Sequence, residues 1–152
     1  MKLDIYDSKR RKRLLEQLNE RFGITEIPKL LFETGKERIR AFNGDLTIDE
    51  LYGLSRITNI EFLGSYLFRA DEERSVRLSF DACLLFANQI TKNIIDISDE
   101  QLKIWMRGEN LPFVIQKGMY IVRHGKDFFG CTTSDGEKLI NYVPKERRLR
   151  KS

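Results

Sequence analysis

The apolar positions of this chain change period several times, and each change marks an element. Between Ser8 and Phe22, Leu14, Leu15, Leu18 and Phe22 fall on one helical stripe, and Gly23 follows as a stop. The spacing predicts a helix over 8–22 with Ser8 as its cap. The next apolar stretches, Leu31–Glu33 and Ile39–Phe42, are short and bounded by turn residues. They predict a β-hairpin turning at Thr34-Gly35-Lys36, with Asn43-Gly44-Asp45 as a further turn. Thr47 and Glu50 form a capping box that opens a short helix. Loose alternation over 61–69 and 76–80, around the polar segment Ala70–Ser75, predicts two antiparallel strands. The apolar run 81–93 then predicts a helix, with Cys83 inside it as a small buried hydrophobe.

The pattern changes again near Asn93. Ile94–Ser98 predicts a short buried strand, and Ser98 with Gln101 forms a second capping box for a helix that Gly108 ends. From Gly118 onward only strand patterns remain: 118–124, 127–133 and 137–143. Turns separate them at His124-Gly125-Lys126 and Ser134-Asp135-Gly136. Strands this short and evenly spaced predict a small barrel. The fold class is therefore α+β: a mixed α/β domain over 1–93, then a small β pseudo-barrel over 94–152.

Composition narrows the class. A chain of 152 residues, 41% hydrophobic and 33% charged, fits one globular domain or two very small ones. No apolar run approaches the roughly 18 residues of a membrane span. The first residues lack the apolar core and cleavage site of a signal peptide, so a cytoplasmic protein is expected. Two cysteines and one histidine are too few for a zinc site or a disulfide scaffold, although one disulfide between the two thiols remains a reading. Cys131 has no His or Asp partner in sequence, no carboxylate spacing singles out an acid/base pair, and no phosphate-binding glycine motif occurs. The expectation is a protein that is not an enzyme and carries no cofactor and no metal.

Charge adds the one functional cue. The net charge is only +4, but it is unevenly placed. Lys9, Arg10, Arg11, Lys12 and Arg13 form one block. Lys145, Arg147, Arg148, Arg150 and Lys151, against the single Glu146, form another, and the rest of the chain is net acidic. Such clusters are an electrostatic footprint for a polyanion; the bland reading is a solvated helix face and a frayed tail. Positive charge in the first turn of a helix opposes its dipole at about a few tenths of a kcal/mol, which slightly favours a functional reason.

Order then adds a resemblance. From Ile94 the chain runs strand, helix, Arg107-Gly108-Glu109-Asn110-Leu111, an irregular stretch, Lys117-Gly118 before a strand, and Phe129-Gly130 in the next. This resembles a PUA domain, the RNA-binding pseudo-barrel named after pseudouridine synthases and archaeosine transglycosylases. "ITNIEFLGSYLFRADEERSVRLSFDACLLFA" followed by "LKIWMRGENLPF" resembles the small pre-PUA/PUA factors of large-subunit ribosome biogenesis found in archaea and eukaryotes. The tail "LINYVPKERR" is more similar to the ending of the PUA-like domain of Sun-family RNA 5-methylcytosine methyltransferases. Asn141, Tyr142, Pro144, Lys145 and Arg148 are the matching positions, while Glu146 stands where those domains have glycine. The chain holds none of that enzyme's catalytic motifs, so a stand-alone, two-part PUA-like protein is expected.

The resemblance implies a groove beside the glycine turn. Tyr142 would pack on the barrel, Pro144 would fix the exit, and Lys145, Arg147, Arg148 and Arg150 would lie beside Gly108. Arg107 either contacts a phosphate or pairs with Asp99 or Glu100. Arg123 and Lys126 flank a hairpin turn and either extend the groove or merely solubilise it. His124 is a turn residue or a base stacker; Trp105 reads as core, with base stacking as its other role. Tyr120 and Phe128 read as barrel interior. Lys9 to Arg13 would supply a second phosphate contact. The implied function is non-catalytic binding of structured RNA (rRNA or tRNA) in ribosome biogenesis, rRNA processing or RNA modification. The alternative is an adaptor for an RNA methyltransferase or ribosomal protein, with no direct RNA binding.

Overall fold

The structure is a computed structural model that describes residues 3–35, 37–42, 47–56, 64–71 and 73–149. Its elements run β1 (Asp4–Ile5), α1 (Ser8–Phe22), β2 (Leu30–Thr34), β3 (Arg38–Phe42), α2 (Ile48–Ser55), β4 (Ser65–Ala70), β5 (Val76–Leu78) and α3 (Phe80–Leu85). They continue β6 (Ile94–Asp96), α4 (Asp99–Met106), β7 (Leu111–Pro112), β8 (Gly118–His124), β9 (Asp127–Ser134) and β10 (Lys138–Leu139). Two sheets result. The first is antiparallel throughout, in the order β1-β2-β3-β4-β5. The second has the order β6-β8-β9-β10-β7, with β6 parallel to β8, and curls into a half-barrel at the C-terminus. The α+β class is thus the one the periodicities predict.

Helix α1 covers the predicted span, but its cap is Asp7, whose carboxylate accepts from Arg10 N at 2.8 Å, in place of Ser8. An aspartate one position earlier adds negative charge at the helix N-terminus, which a serine does not. Gly23 ends the helix at φ +84, where its N–H reaches Asn19 O at 2.9 Å. Leu14, Leu18 and Phe22 are buried as the stripe requires, with Leu15 half-buried beside them. Both capping boxes are present: Glu50 N donates to Thr47 Oγ1 at 3.2 Å, and Gln101 N donates to Ser98 Oγ at 3.2 Å.

Four sequence readings are corrected. The strand read over 76–80 ends at Leu78, because Ser79 caps α3 through Ala82 N and Phe80 begins the helix. The helix read over 81–93 stops at Leu85; Phe86 and Ile90 must both turn inward to the core, and the chain tightens through Gln89 N to Phe86 O at 2.8 Å. The strand read over 137–143 keeps only Lys138–Leu139, since Asn141 leaves the sheet to bind the backbone after α4. The strand read over 61–69 is Ser65–Ala70, with 61–63 outside the described residues. The turn at 43–45 and Lys36 also lie outside them. Two strands were illegible: β1 is two residues long, and β7 contains Pro112, which sits on a sheet edge where a missing N–H does no harm.

The sheets share one core. Leu31, Ile39, Phe68 and Val76 of the first sheet, Leu14, Leu18 and Phe22 of α1, and Cys83 of α3 join Ile121, Phe128 and Cys131 of the second in a single buried cluster. Phe68 and Phe86 stack at 5.8 Å within it. Asn93 adopts φ +57; its side chain donates to Arg21 O at 2.5 Å while its carbonyl accepts from Ile121 N at 2.8 Å. A second cluster surrounds Trp105, fully buried between α4 and the second sheet, its Nε1 donating to Phe129 O at 2.7 Å. Trp105 is therefore core. Tyr120 packs half-buried on that cluster, and Phe128 is buried in the shared one.

Candidate nucleic-acid interface

The C-terminal site is built on the end of α4. Gly108, at φ +89, turns the chain out of the helix. Asn110 Oδ1 accepts from Asn141 N at 2.8 Å, while Asn141 Nδ2 donates to the carbonyls of Trp105 at 2.7 Å and Glu109 at 2.9 Å. One side chain thereby satisfies carbonyls that a helix end leaves open. Its Oδ1 accepts from Val143 N at 2.9 Å, starting the tail in a defined direction. Pro144 leads into a 3₁₀ turn over Lys145–Arg147, and Leu149 N then donates to Met106 O at 2.7 Å. Residues 141–149 therefore lie along the bend rather than fraying from it.

Among the predicted binding residues, Arg107 and Gly108 form the bend, Arg148 packs on it, and Lys145 and Arg147 lie in the 3₁₀ turn that precedes Arg148. Arg148 is half-buried and lies directly on Gly108: a Cβ there would stand 2.5 Å from Arg148 Nε. That Nε donates to Val143 O at 2.9 Å, so Arg148 braces the tail. Arg147 is exposed and reaches Asp81 of α3 at 2.8 Å. Lys145 and Arg107 are exposed, and among the described residues neither forms an ion pair. Asp99, one of two carboxylates considered for Arg107, is held instead by His124 Nε2 at 2.6 Å. Arg150 lies outside the described residues.

The hairpin residues stand apart from the bend. Arg123 makes a two-pronged pair with Asp96, at 2.6 and 2.9 Å, and His124 sits beside Asp99 at the start of α4. Arg107 is at the other end of that helix, eight residues or about 12 Å away. Lys126 is exposed in the hairpin turn. The Arg123 guanidinium holds the Asp96 carboxyl below its ordinary range.

The first block is partly consumed by the fold. Arg10 clasps Asp4 at 2.8 and 3.0 Å, donates to Ile5 O, and lies 4.5 Å over the Tyr6 ring. Arg11 donates to the carbonyls of Ile27 and Pro28 at 2.8 and 3.2 Å. Lys9, Lys12 and Arg13 stay exposed.

A feature no local pattern announced is a cleft of about 510 Å³ where the two sheets and the tail meet. Tyr66, Arg77, Ser79, Asp81, Tyr142 and Glu146 are among its lining residues. Arg77 of β5 lies 3.5 Å over the Tyr142 ring, whose hydroxyl is 3.0 Å from Thr133 Oγ1. Tyr142 thus packs on the second sheet as expected and also faces the first. The only cue in the sequence was one arginine at a polar position of each short strand, and pairing between distant strands is not written there. Cys131 lines this cleft and Cys83 is buried in the shared core; both are free cysteines, and burial pushes Cys131 up to about 11 and Cys83 well above its ordinary value.

The comparisons agree with this geometry where it is most specific. No curated protein matches the chain. The family model described as the methyltransferase RsmF PUA domain matches residues 92–149, a span holding β6 through β10, α4, the bend and the docked tail. Residues 92–149 thus form a domain similar to the PUA-like domains of Sun-family methyltransferases.

Proposed function

We propose that this protein is a non-catalytic RNA-binding factor that grips structured RNA through its C-terminal domain, in rRNA processing, ribosome biogenesis or RNA modification. A PUA domain is an RNA-binding module, and the carrying observation is the docked tail. Residues 141–149 are fastened along the Gly108 bend, and Lys145 and Arg147 of the tail and Arg107 of the bend are exposed. Guanidinium forks and ammonium groups fixed beside a bend suit phosphate oxygens, which gives affinity and register with little sequence reading. Arg123 and Lys126, at the far end of α4, would touch a second part of the same RNA.

The test is a mobility shift with a structured RNA at several salt concentrations. The parent chain should bind with a steep loss between about 50 and about 200 mM salt. Lys145→Glu with Arg147→Glu should abolish the shift. Arg148 is left intact because it braces the fold. The adaptor reading has its own support in Leu84, Leu85 and Leu149, which are 50%, 52% and 59% exposed on α3 and the tail. It is favoured by a parent chain that shifts no RNA, or one whose binding ignores those two substitutions.

A further inference from the structure

The outer face of the first sheet carries a row of arginines away from the Gly108 bend. In the observed register Arg38 of β3 is opposite Arg69 of β4, and Arg69 is opposite Arg77 of β5. Strands lie about 4.8 Å apart, so three guanidinium stems cross the sheet within about 10 Å. Beyond Arg69 the register skips Leu67, which is buried in the core with Phe68, and brings Tyr66 opposite Arg40. The same face therefore holds Tyr66, with Arg38 at 5.4 Å and Arg40 at 6.0 Å from its ring.

Like charges directly opposite one another weaken a sheet. This sheet does little to cancel them. Glu37 pairs with Arg69 at 2.9 Å. Arg38, Arg40 and Arg77 form no ion pair among the described residues; they lie on tyrosine rings, and Arg40 also bonds Thr34 Oγ1 and Gly64 O. Among the described residues one carboxylate thus answers the three guanidinium groups of the row, while Arg40 is buried beside them. A face kept merely soluble carries both signs interspersed. Two of these strands, β3 and β4, are interior to the sheet, so Arg38 and Arg69 do not serve to guard an edge.

The row also leads somewhere. Arg77 ends it by stacking on Tyr142, inside the cleft of about 510 Å³. From Tyr142 the chain passes through Pro144 to Lys145 and Arg147, the exposed cations of the tail. Cations, aromatic rings and a nucleotide-sized recess follow one another from the first sheet to the C-terminal domain. Asp81 and Glu146 at the cleft's rim add acceptors for the amino groups of a base.

We propose that this face is a second RNA surface. It takes an unpaired strand running off the structured part held at the bend, with phosphates on Arg38, Arg69 and Arg77 and one base in the cleft between Tyr66 and Tyr142. Aromatic and guanidinium planes stack any base, and unpaired segments offer bases free to enter. The proposal rests on the RNA-binding reading above and assigns the first half of the chain a share in it.

The test uses the full chain and a short, unstructured RNA oligonucleotide carrying a fluorophore, with anisotropy read from about 50 to about 200 mM salt. Arg38→Gln/Arg69→Gln/Arg77→Gln should weaken binding about tenfold and flatten the salt slope by about 2, at about 0.7 per lost single-strand phosphate contact. Tyr66→Leu should weaken binding severalfold with the slope unchanged. Trp105 emission reports whether each variant is folded. Independently, the parent chain crosslinked to an oligonucleotide carrying 4-thiouridine should yield adducts on peptides containing Tyr66 or Arg77, which needs no variant to fold. Unchanged affinity and slope in the folded triple variant, or adducts confined to residues 107–149 and sparing Tyr142, would overturn the proposal while leaving tail-dependent RNA binding intact. A parent chain that binds neither this oligonucleotide nor structured RNA ends both readings.

Discussion

Two segments of this chain look alike in sequence and are used differently. Lys9–Arg13 and Lys145–Arg148 are both dense in basic residues. In the first, Arg10 and Arg11 are turned back into the fold: one clasps Asp4 and covers Tyr6, the other closes on the carbonyls of Ile27 and Pro28. In the second, Arg148 lies on Gly108 and braces the tail, Arg147 is exposed in a surface pair with Asp81, and Lys145 is exposed with no ion pair among the described residues. Opposing the helix dipole in the first block costs little once Asp4 and Asp7 stand beside Arg10. A run of basic residues thus measures opportunity, and the partners that reach each guanidinium decide whether it is spent on structure or left for a ligand.

That comparison assumes that both segments stand on one core, and thiol labelling puts the assumption under the largest strain. Cys83 comes from the first half and Cys131 from the second, yet both belong to the same buried cluster, and burial disfavours the thiolate of each. Neither should react with an aromatic disulfide reagent at pH near 8 until the chain unfolds, and both should then react across the same denaturant range. Fast labelling of one thiol in the native protein would show two separately opening units.

The next largest effect concerns the brace. Gly108→Val forces a side chain into φ +89 and into the space of Arg148. A cost of about 2 kcal/mol is expected in urea unfolding. Gly35→Ala, at φ +62 with open space around it, should cost less, because only the backbone term remains.

In the first block the arginines and lysines should separate. Arg10→Ala or Arg11→Ala should each cost about 1 kcal/mol, discounted for partial exposure. Lys9→Ala and Lys12→Ala should stay within about 0.5 kcal/mol. Equal effects across all four would mean that the block acts only as a field.

The smallest effect is on the acid limb. Arg123 holds Asp96 below its ordinary value, so the folded carboxyl titrates below the unfolded one. The stabilisation is complete above the unfolded value of about 3.9 and is lost as pH falls through the lower folded value. Asp96→Asn should lower neutral stability by a small amount, leave stability at strongly acid pH unchanged, and so flatten the decline in urea midpoint below about pH 4.

Local signals were legible wherever a short stretch carried its own physics. The stripe Leu14-Leu18-Phe22, the stop at Gly23, both capping boxes and the hairpin turns need only neighbours within one turn. What failed depended on distant partners. The predicted helix over 81–93 stops at Leu85 because Phe86 and Ile90 are drawn into a core built from both sheets. The strand pattern of 137–143 yields at Asn141, whose side chain finds carbonyls after α4. Arg148 lies on Gly108, but that it would be a brace was not visible, nor that Arg147 would pair with Asp81 of α3.

The sequence alone determined the α+β class, the elements that local spacing can specify, the resemblance of the C-terminal part to a PUA domain and the presence of two basic blocks. These follow from periodicity, capping chemistry and ordered motifs, which are short-range properties of a chain. Tertiary structure decided which cations are consumed and which are offered. It also aligned Arg38, Arg69 and Arg77 and set Tyr142 beneath the last of them. The reason is that register and carboxylate partners are selected when distant strands pair and bury a common core, and no local window contains that choice.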